Sequence, residues 1–358
     1  MSRSLRVALL TSARSWRGSS AVFAVVADGL RERRHMVQVL VANEELAAGF
    51  AARDRPVRVL PVQRTSLRAA RALRAALLEL RPDVLLADKA RDVRLTALAR
   101  PRHPPLLVYC ISTPRPATDL GTRLASYRVG LTVFLTQSLA RSGLAVAPVL
   151  RRAPHRVIPN GVDCELFRPD AAAGGEFRAR MNVGAGPLLV GVGALAPEKR
   201  WDLLLESAAL LPPPRPPLVL CGVGGLQHAL QARGRELGVD VRFAGRLTAA
   251  ELVGAYNAAT VVVHSRPDEV FSLTLVEALA CGRPVLAVRG GGTPELLGDA
   301  GVLAPPDDAP AFARAIGELL GDAPRREALG AAARQRATAH LSVERMVRAY
   351  VETIEGLA

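Results

Sequence analysis

Short apolar runs alternate with amphipathic stretches along the first half of the chain. Amphipathic stretches at 20–33, 65–80 and 117–129 have the periodicity of surface helices. Continuous apolar strands separated by such helices indicate a parallel sheet that is covered on both faces. The predicted strands of this half are residues 5–11, 36–42, 57–62, 83–87, 106–110, 131–135 and 156–159.

A second series of the same kind begins at Pro187, after a small, Gly-rich segment at 170–176 that is typical of a linker. Met346, Tyr350 and Ile354 recur every four residues in the last stretch, which predicts a helix with one apolar face. The second series comprises predicted strands at 188–192, 218–221, 241–243, 261–264 and 284–288, predicted helices at 200–211, 225–236, 248–257 and 272–281, and a mostly helical tail from 308.

Two such series predict two domains, because a single core seldom grows beyond roughly 250–300 residues and the chain has 358. We predict an N-terminal domain over 1–168, a C-terminal domain over 177–340 and a terminal helix over 341–358 that docks back on the body. Open parallel sheets bind ligands at the carboxyl ends of their strands. The expected fold class is therefore α/β, with two Rossmann-like domains facing across a ligand-binding cleft.

Composition narrows the class of protein. Apolar residues make up 49% of the chain, which is enough to build real cores. No apolar run reaches the roughly 18–20 residues that cross a bilayer, and the first residues resemble a strand rather than a signal peptide. The sequence contains no Asp-x-Asp and no His/Cys cluster with ligand spacing, so we expect no metal. Its four scattered cysteines indicate free thiols in a reducing cytoplasm.

Positive charge is concentrated in the first half. Residues 1–170 hold 28 Lys/Arg against 13 Asp/Glu, a balance of +15, whereas residues 171–358 hold 19 against 20, a balance of −1. Such a half can face anionic lipid, nucleic acid or an acidic substrate, or it can be a solvated surface that reflects an Arg-rich coding bias.

Lysine is rare in this chain. It has 45 Arg but only two Lys, at positions 89 and 199. Because Lys is a compact point charge and Arg a broad planar fork, a Lys in such a composition indicates a position where Arg does not fit. Lys199 lies within a motif and is a candidate functional residue, whereas Lys89 lacks such a context and is predicted to be a surface residue.

Two carboxylates flank a predicted helix start in the second half. Glu269 follows the predicted strand 261–264, and a helix is expected to begin near Ser272. The amides of Ser272, Leu273 and Thr274 would then be free donors, and a helix N-terminus attracts phosphate. Glu269 can reach a sugar hydroxyl, and Glu277, more than a turn into the helix, can accept the hydroxyls of a ribose.

Two glycine-containing turns are further candidates. Gly290-Gly291-Gly292 follows the predicted strand 284–288, and glycines let a backbone approach a phosphate closely. The segment 189–200 reads as a strand, a turn at Gly193 and a helix start, from which Lys199 would point into the cleft. An ammonium there could neutralise a diphosphate leaving group.

These segments together resemble the family 4 retaining glycosyltransferases, which have the two-Rossmann-domain B-type fold. The paired glutamates of that family, with seven residues between them, match Glu269 and Glu277, and its "GRL-x-PEK" turn resembles residues 193–199. Its "PNGVD" hinge occurs unchanged at 159–163, and its "GG-x-x-E" loop matches residues 291–295. The resemblance spans nearly the whole chain, is strong over 157–305 and is weaker before residue 150.

The chain departs from the family pattern at several positions. Ala194 replaces the Arg that often follows the first glycine of the turn, so a diphosphate contact is missing or comes from a neighbour such as Arg200. Ser272 replaces the Gly that commonly opens the helix. The glycine pair of the first-domain loop appears as Gly18-Ser19-Ser20, and a residue near Ser112 replaces the histidine after the fifth strand.

The resemblance implies a metal-independent hexosyltransferase that needs no cofactor. It would move a sugar from a nucleotide diphosphate donor, UDP- or GDP-linked, to an acceptor hydroxyl with retention of configuration. Glu269 and Lys199 would be catalytic, and Gly18, Ser19 and Ser112 would lie near the donor or acceptor. The implied donor-binding residues are Glu277, Ser272, Leu273, Thr274, Phe271, Gly193, Arg200, Gly245, Arg246 and Leu247.

In this family the first domain binds the acceptor. Its charge of +15 therefore suggests a lipid-linked glycan, a lipopolysaccharide or another cell-envelope glycoconjugate, reached either from the cytoplasm or by peripheral contact with anionic lipid at the inner face of the membrane. Nucleic acid is not expected, because aromatic residues make up only 4% and no basic helix with interleaved aromatics occurs.

Other functions remain open on the same motifs. A nucleotide-sugar epimerase, another sugar-nucleotide-binding protein of this fold, or a catalytically inactive homologue would share them. A glycan phosphorylase would need a cofactor-binding Lys late in the chain, but no Lys follows residue 199. A NAD-dependent oxidoreductase is disfavoured, because the turn after the first strand contains no G-x-G-x-x-G.

Overall fold

The structure is a computed structural model of the chain and describes residues 4–16, 18–52 and 54–357. The chain divides into two compact units. The first contains residues 1–161 and 343–358, and the second contains residues 162–342. The C-terminal segment from Val343 thus belongs to the first unit.

In its described residues, the first unit is built on a seven-stranded parallel sheet with the order β3-β2-β1-β4-β5-β6-β7. Its strands are β1 (Arg6–Thr11), β2 (Met36–Val41), β3 (Val57–Val59), β4 (Val84–Ala87), β5 (Leu106–Ile111), β6 (Val129–Phe134) and β7 (His155–Val157). Its helices are α1 (Gly18–Glu32), α2 (Glu44–Ala51), α3 (Leu67–Leu80), α4 (Ala90–Ala99), α5 (Leu120–Ser126), α6 (Gln137–Val146) and α15 (Val343–Glu355).

The terminal helix α15 packs against α1 in the core of the first unit. Met346, Tyr350 and Ile354 are all buried there, as their four-residue spacing predicted. Gly29 of α1 makes this contact possible, because a Cβ at that position would lie 2.0 Å from Cγ1 of Val347. The apolar face of α15 therefore contributes to the core of this unit.

The second unit contains, among its described residues, a six-stranded parallel sheet with the order β10-β9-β8-β11-β12-β13. Its strands are β8 (Leu189–Val192), β9 (Leu218–Cys221), β10 (Val241–Gly245), β11 (Val261–His264), β12 (Val285–Val288) and β13 (Val302–Ala304). Its helices are α7 (Ala171–Arg180), α8 (Trp201–Ala209), α9 (Gln227–Leu237), α10 (Ala249–Ala258), α11 (Leu273–Ala280), α12 (Thr293–Leu297), α13 (Ala309–Gly321) and α14 (Ala323–His340).

The predicted fold class, an α/β chain with two Rossmann-like sheets, is confirmed. The strands β9 and β11 have the predicted bounds, and every predicted strand is present within a few residues. The short β13 and the helices α2, α4 and α6 were not predicted. None of the helices in the described residues combines the length and the apolarity that a membrane span requires.

The prediction of a linker at 170–176 is wrong, since α7 covers most of that segment. Asp170 caps the helix by accepting a hydrogen bond from the amide of Ala173 at 2.9 Å. Gly174 packs directly on α10, because a Cβ there would lie 2.8 Å from the carbonyl carbon of Asn257. Gly174, one of the small residues that resemble a flexible linker, is thus required by the close approach of two helices.

Candidate functional site

Three neighbouring strands of the second sheet lead into the predicted site segments. The strands β8, β11 and β12 are adjacent and parallel, so their carboxyl ends lie at one edge of the sheet. The segment with Lys199 follows β8, the segment with Glu269 follows β11, and the triple-glycine loop follows β12. Ligands of open α/β sheets bind at this edge.

The backbone of Lys199 is held from two sides. Lys199 ends a short 3-10 turn, Pro197–Lys199, whose first residue suits a helical start. The Ser265 hydroxyl after β11 donates a 2.7 Å hydrogen bond to the Lys199 carbonyl. The indole of Trp201 donates to the Ala194 carbonyl at 2.9 Å and fixes the turn before it. These contacts fix the point from which the Lys199 side chain extends.

Gly193 leaves room for the side chain of Lys199. A Cβ at Gly193 would lie 3.2 Å from Cε of Lys199, which is tighter than an ordinary contact. The aliphatic part of the lysine thus runs along the glycine. This contact favours a glycine at position 193 independently of any role that Gly193 has in binding a ligand.

Lys199 and Glu269 form an ion pair. The Nζ atom of Lys199 lies 3.0 Å from Oε2 of Glu269, and only 16% and 12% of the two side chains are exposed. The same oxygen lies 3.7 Å from Nε2 of His264 and 3.8 Å from Nη1 of Arg266. Glu269 therefore lies among two cations and a buried imidazole, in surroundings that screen charge weakly.

His264 is a neutral part of this cluster. Burial, followed by the charges of Lys199 and Arg266, lowers its pKa to about 3. Its Nε2 atom is buried and has no hydrogen-bond partner among the described residues. Sequence reasoning assigned His264 only to a buried strand and did not single out Arg266. A histidine at the carboxyl end of a buried strand, five residues before a candidate carboxylate, was the available signal.

The triple-glycine loop supports the backbone of the Glu269 segment. A Cβ at Gly290 would lie 1.8 Å from the Pro267 carbonyl oxygen, and a Cβ at Gly291 would lie 2.1 Å from the Glu269 carbonyl oxygen. The amide of Gly292 donates to that Glu269 oxygen at 2.7 Å. These glycines were expected to approach a phosphate. Their contacts in the structure position the backbone that carries Glu269, and the approach to a phosphate stays a prediction.

The helix α11 begins where the sequence predicted. Ser272 is its N-cap and accepts a hydrogen bond from the amide of Leu275 at 3.4 Å, and its hydroxyl lies 2.9 Å from that of Thr274. The first-turn amides of Leu273 and Thr274 have no carbonyl partner within the helix. Phe271 and Leu273 are partly buried against the core of the second unit.

Glu277 lies deeper in α11 and meets a fully buried tyrosine. The Tyr256 hydroxyl donates a 2.7 Å hydrogen bond to Oε2 of Glu277. Burial raises the pKa of Glu277 to about 7, and the bond from Tyr256 opposes this shift. The protein therefore favours the protonated form of this carboxyl group more than water does, which the sequence did not suggest.

The remaining donor-site candidates of the second unit have varied contacts. The Arg200 guanidinium is paired with Asp202 and Asp307, so its charge is already matched. Gly245 ends β10 with a φ of +69°, which favours glycine. Arg246 is exposed and Leu247 packs partly against the core.

The first-unit candidates lie at the carboxyl edge of their own sheet. Gly18 is the first residue of α1, and the Ser19 hydroxyl donates to Oδ2 of Asp88 at 3.2 Å. Ser112 follows β5 and is partly buried. Since β1, β4 and β5 are adjacent and parallel, the segments after them share this edge.

Lys89 belongs to this edge and is partly exposed, but it also forms an ion pair that the sequence did not predict. Its side chain is 31% exposed, and its Nζ lies 3.0 Å from Oδ2 of the buried Asp88. Asp88 also accepts from the Thr11 hydroxyl at 3.1 Å. Asp92 lies nearby and accepts from the Lys89 amide at 3.0 Å, and burial is the main cause that raises its pKa to about 7.

In the residues that the structure describes, no three His, Cys, Asp or Glu side chains come together as a metal site would require.

Two family profiles match the chain in succession. "Glycosyltransferase Family 4" matches residues 16–166 and "Glycosyl transferases group 1" matches residues 176–336. The second match contains Lys199, Glu269 and Glu277, and the first contains Gly18, Ser19 and Ser112.

Curated relatives match the chain over about half of its length. A GDP-mannose-dependent alpha-(1-6)-phosphatidylinositol monomannoside mannosyltransferase of Mycolicibacterium smegmatis is 34% identical over 190 residues, which cover 49% of this chain and 50% of that protein. A D-inositol 3-phosphate glycosyltransferase of Frankia alni is 37% identical over 197 residues, covering 51% and 48%. The chain thus spans about half the length of the curated relatives it matches.

Solved structures with the same fold match nearly the whole chain. Anabaena Alr3699/HepE in complex with UDP has a TM-score of 0.86 at 20% identity, over 98% of this chain and all of that one. WaaG, described as a glycosyltransferase involved in lipopolysaccharide biosynthesis, has a TM-score of 0.72 at 16% identity over 98% and 100%. At these identities the likeness establishes the fold alone.

Proposed function

Because the chain belongs to the family 4, or group 1, glycosyltransferases, we propose that it is a retaining, metal-independent hexosyltransferase. It transfers a sugar from a nucleotide diphosphate donor to an acceptor hydroxyl. The observation that carries this proposal is the Lys199–Glu269 ion pair at the carboxyl edge of the second sheet, on the segment that leads into the N-terminus of α11.

The donor diphosphate binds between Lys199 and the start of α11. The ammonium of Lys199 and the amides of Leu273 and Thr274 offset the charge that develops on the leaving phosphate. Arg266 adds a second positive charge near Glu269. Asp202 and Asp307 already neutralise Arg200. Arg200 therefore stabilises the diphosphate less than an unpaired arginine at position 194 would.

The carboxylate of Glu269 accepts hydrogen bonds from the hydroxyl groups of the donor sugar. Lys199 and the backbone contacts from Gly291 and Gly292 fix the carboxylate, so little ordering remains when the sugar arrives. The neutral His264 beside it neither repels a cation nor attracts the diphosphate. Its unpartnered Nε2 is a hydrogen-bonding atom available beside the sugar-binding carboxylate.

Glu277 accepts the ribose hydroxyls of the nucleotide. Tyr256 occupies one of its oxygens, which leaves the other for the ligand. Gly245 ends β10, Arg246 and Leu247 follow it, and these residues line the pocket of the base. This assignment predicts that donor binding depends on ionisation of Glu277.

The reaction proceeds by substitution on a single face of the sugar. The bond between the anomeric carbon and the diphosphate oxygen breaks through an oxocarbenium-like state, and the acceptor oxygen bonds to the same face. The leaving phosphate takes the proton of the acceptor hydroxyl. The protein positions the two substrates and stabilises charge.

The acceptor is acidic or borne on a membrane, such as a lipid-linked glycan or a lipopolysaccharide. The support is the +15 balance of residues 1–170, together with relatives whose names specify phosphatidylinositol mannoside and inositol 3-phosphate. The protein then acts in the cytoplasm, with peripheral contact at the inner face of the membrane. Equal sedimentation with anionic and neutral vesicles at low salt would refute the membrane contact.

A donor panel tests the transferase proposal. UDP-, GDP- and ADP-sugars are screened for a rise in melting temperature, because a ligand that binds only the folded state stabilises it. Release of nucleoside diphosphate is then measured with the donor that binds. Binding without release in the presence of acceptor glycans would favour an inactive homologue, and binding of none of the nucleotides would reject the proposal.

A further inference from the structure

A cavity lies at the amino-terminal edge of the second sheet, opposite the edge that carries the Lys199–Glu269 pair. It has a volume of about 790 Å³, and its lining includes Ala185, Thr260 and Pro284, which precede β8, β11 and β12. Thr260 and His264 are four residues apart on one extended strand, which separates the two edges by about 13 Å. A molecule in this cavity is therefore distinct from a donor bound at the carboxyl edge.

Four arginines line this cavity, namely Arg178, Arg283, Arg326 and Arg334, together with a single carboxylate, Glu327. Within the described part of the chain, no carboxylate forms an ion pair with any of the four. Other arginines of this unit do form such pairs, as Arg180 does with Glu251 at 2.9 Å. The four guanidinium charges therefore outnumber the one carboxylate of the lining, and none of them is held in an ion pair among the described residues.

Neutral carbonyl groups hold these guanidinium groups in place. The Nη1 atom of Arg178 donates to the Gly184 and Gly186 carbonyls, at 2.6 and 2.9 Å. The Nη1 atom of Arg326 donates to the Leu319 and Leu320 carbonyls at the end of α13, at 2.6 and 2.7 Å. An arginine has five N–H donors, so each keeps several for a ligand.

Arg334 and Arg283, which line the same cavity, also donate to neutral groups. The Nη1 atom of Arg334 donates to the carbonyls of Cys164, Phe167 and Ala280 at 2.8 to 3.0 Å. Arg283 donates from Nη2 to the Asn257 side chain at 3.1 Å, while its Nε is buried without a partner among the described residues. A buried donor of a charged group without a partner is costly, so the charge of Arg283 is incompletely solvated in the folded chain.

The electrostatics support an anion at this place. Burial lowers the pKa of Arg283, Cys281 opposes this shift, and the charge of Arg178 lowers the pKa further. Burial also lowers the pKa of Arg178. Both shifts indicate guanidinium charges that are poorly solvated and, in part, repel one another, so a bound anion would relieve both conditions.

We propose that this cavity is a binding site for a multiply charged phosphate group, such as a pyrophosphate or bisphosphate moiety. Planar guanidinium forks match phosphate oxygens, and forks already held by carbonyls lose little freedom on binding. The concave shape and volume suit a small molecule. The proposal does not depend on the transferase assignment, because it rests on residues at the other edge of the sheet.

Calorimetric titration with inorganic pyrophosphate at low salt tests this site. The variant Lys199→Ala weakens phosphate binding at the carboxyl edge, and we expect it to retain one pyrophosphate site. In the Lys199→Ala background, we expect Arg326→Gln to weaken the remaining site at least about tenfold, as loss of a hydrogen bond between charged groups does. The matched control Arg325→Gln removes the same charge from the adjacent, exposed position of α14 and should change affinity less than about twofold.

Equal weakening by the two substitutions, or loss of all pyrophosphate binding in Lys199→Ala alone, would overturn the proposal. Ligand-free melting curves identify a variant that folds poorly. Arg178→Gln on α7 provides an independent second variant, with the same expected tenfold loss. Arg326→Lys should weaken binding less than Arg326→Gln, because it keeps the charge but loses the fork.

The phosphate can belong to a free molecule or to a lipid headgroup. Sedimentation with phosphatidic acid vesicles and with neutral phosphatidylcholine vesicles separates the two sources. If Arg326→Gln weakens pyrophosphate binding but leaves vesicle binding unchanged, the ligand is a free molecule, and if it weakens both, the ligand is a headgroup. If it weakens neither, the site does not exist.

Discussion

Each of the two lysines of this chain lies near the carboxyl edge of the sheet of its own unit. Lys89 follows β4 and Lys199 follows β8, each near the carboxyl edge of a parallel sheet and each 3.0 Å from a carboxylate oxygen. Their partners differ. Lys89 pairs with the adjacent residue Asp88, whereas Lys199 pairs with Glu269, which is 70 residues away and follows another strand.

The ion pair of Lys89 is thus a contact between sequence neighbours, whereas the ion pair of Lys199 forms only when the unit folds. Asp88 is nearly fully buried and also accepts from the hydroxyls of Thr11 and Ser19, so Lys89 completes a compact polar cluster of the first unit. The Lys199–Glu269 pair instead joins two loops at the edge where the nucleotide is proposed to bind. The scarcity of lysine drew attention to both positions, and both lysines form ion pairs. Only Lys199 lies within a motif from which a function could be predicted.

The largest effect should come from Lys199→Ala. We expect turnover to fall about 10²–10³-fold, by analogy with the loss of one preorganised charge contact. The measurement is the rate of nucleoside diphosphate release from the donor that the panel identifies, without added acceptor. Lys89→Ala is the matched control and should lower this rate less than tenfold, because its charge is matched within the first unit. Turnover of Lys199→Ala within threefold of wild type would end the assignment.

Gly291→Ala tests whether the glycine loop positions Glu269. The added methyl would lie 2.1 Å from the Glu269 carbonyl oxygen, at a residue whose φ is +51°, so the loop must move. A displacement near 1 Å at a site can lower rates up to about 10²-fold, and we expect a loss of about tenfold or more in donor turnover.

Gly317→Ala in α13 is the control for Gly291→Ala, because nothing lies within 4 Å of its added Cβ. It should leave turnover unchanged and stabilise the helix slightly. If both variants keep wild-type turnover, the contact between the glycine loop and Glu269 has no role in catalysis.

Glu277 should make donor binding dependent on pH. Because burial raises its pKa to about 7, the carboxylate form that accepts ribose hydroxyls grows as pH rises. The ionised fraction rises about tenfold between pH 6 and pH 8, and donor affinity should rise by up to that factor. Calorimetry at these two pH values measures it.

Two variants sharpen the test of Glu277. Glu277→Ala should mainly weaken donor binding, and unchanged donor affinity would count against its role. Glu277→Gln should bind donor with little pH dependence. A wild-type affinity that is flat between pH 6 and pH 8 would show that ionisation of Glu277 does not govern donor binding.

Asp92→Asn should give the smallest effect, and one on stability alone. The raised pKa of Asp92, about 7, means that the folded state favours the protonated form. Its contribution to stability is therefore fully present below the unfolded pKa and is lost as pH rises through about 7. Asn stays neutral, so the variant should melt a few degrees above wild type at pH 8 and show a smaller difference at pH 5.5. Equal differences at the two pH values would contradict this explanation.

The amino-acid sequence by itself determined the strands and the chemical identity of the donor-site candidates. The strands β9 and β11 could be delimited from sequence because a buried parallel strand is a continuous apolar run whatever it packs against. Lys199, Glu269 and the start of α11 could be named because their signals lie within a few residues. The rarity of lysine singled out Lys199, the spacing from Glu277 singled out Glu269, and the capping residue marked the start of α11. All three signals can be read without knowing the fold.

Tertiary structure alone decided which of these residues meet. The bond from Tyr256 to Glu277, the packing of Gly291 on the Glu269 backbone and the ion pair of Lys199 with Glu269 depend on distances between segments that the sequence separates. The segment 170–176 is helical because α10 lies against it, and four distant arginines converge because strands and helices bring them to one cavity. Periodicity reports which face of an element is buried, but the partner of that face is set by packing across the whole unit.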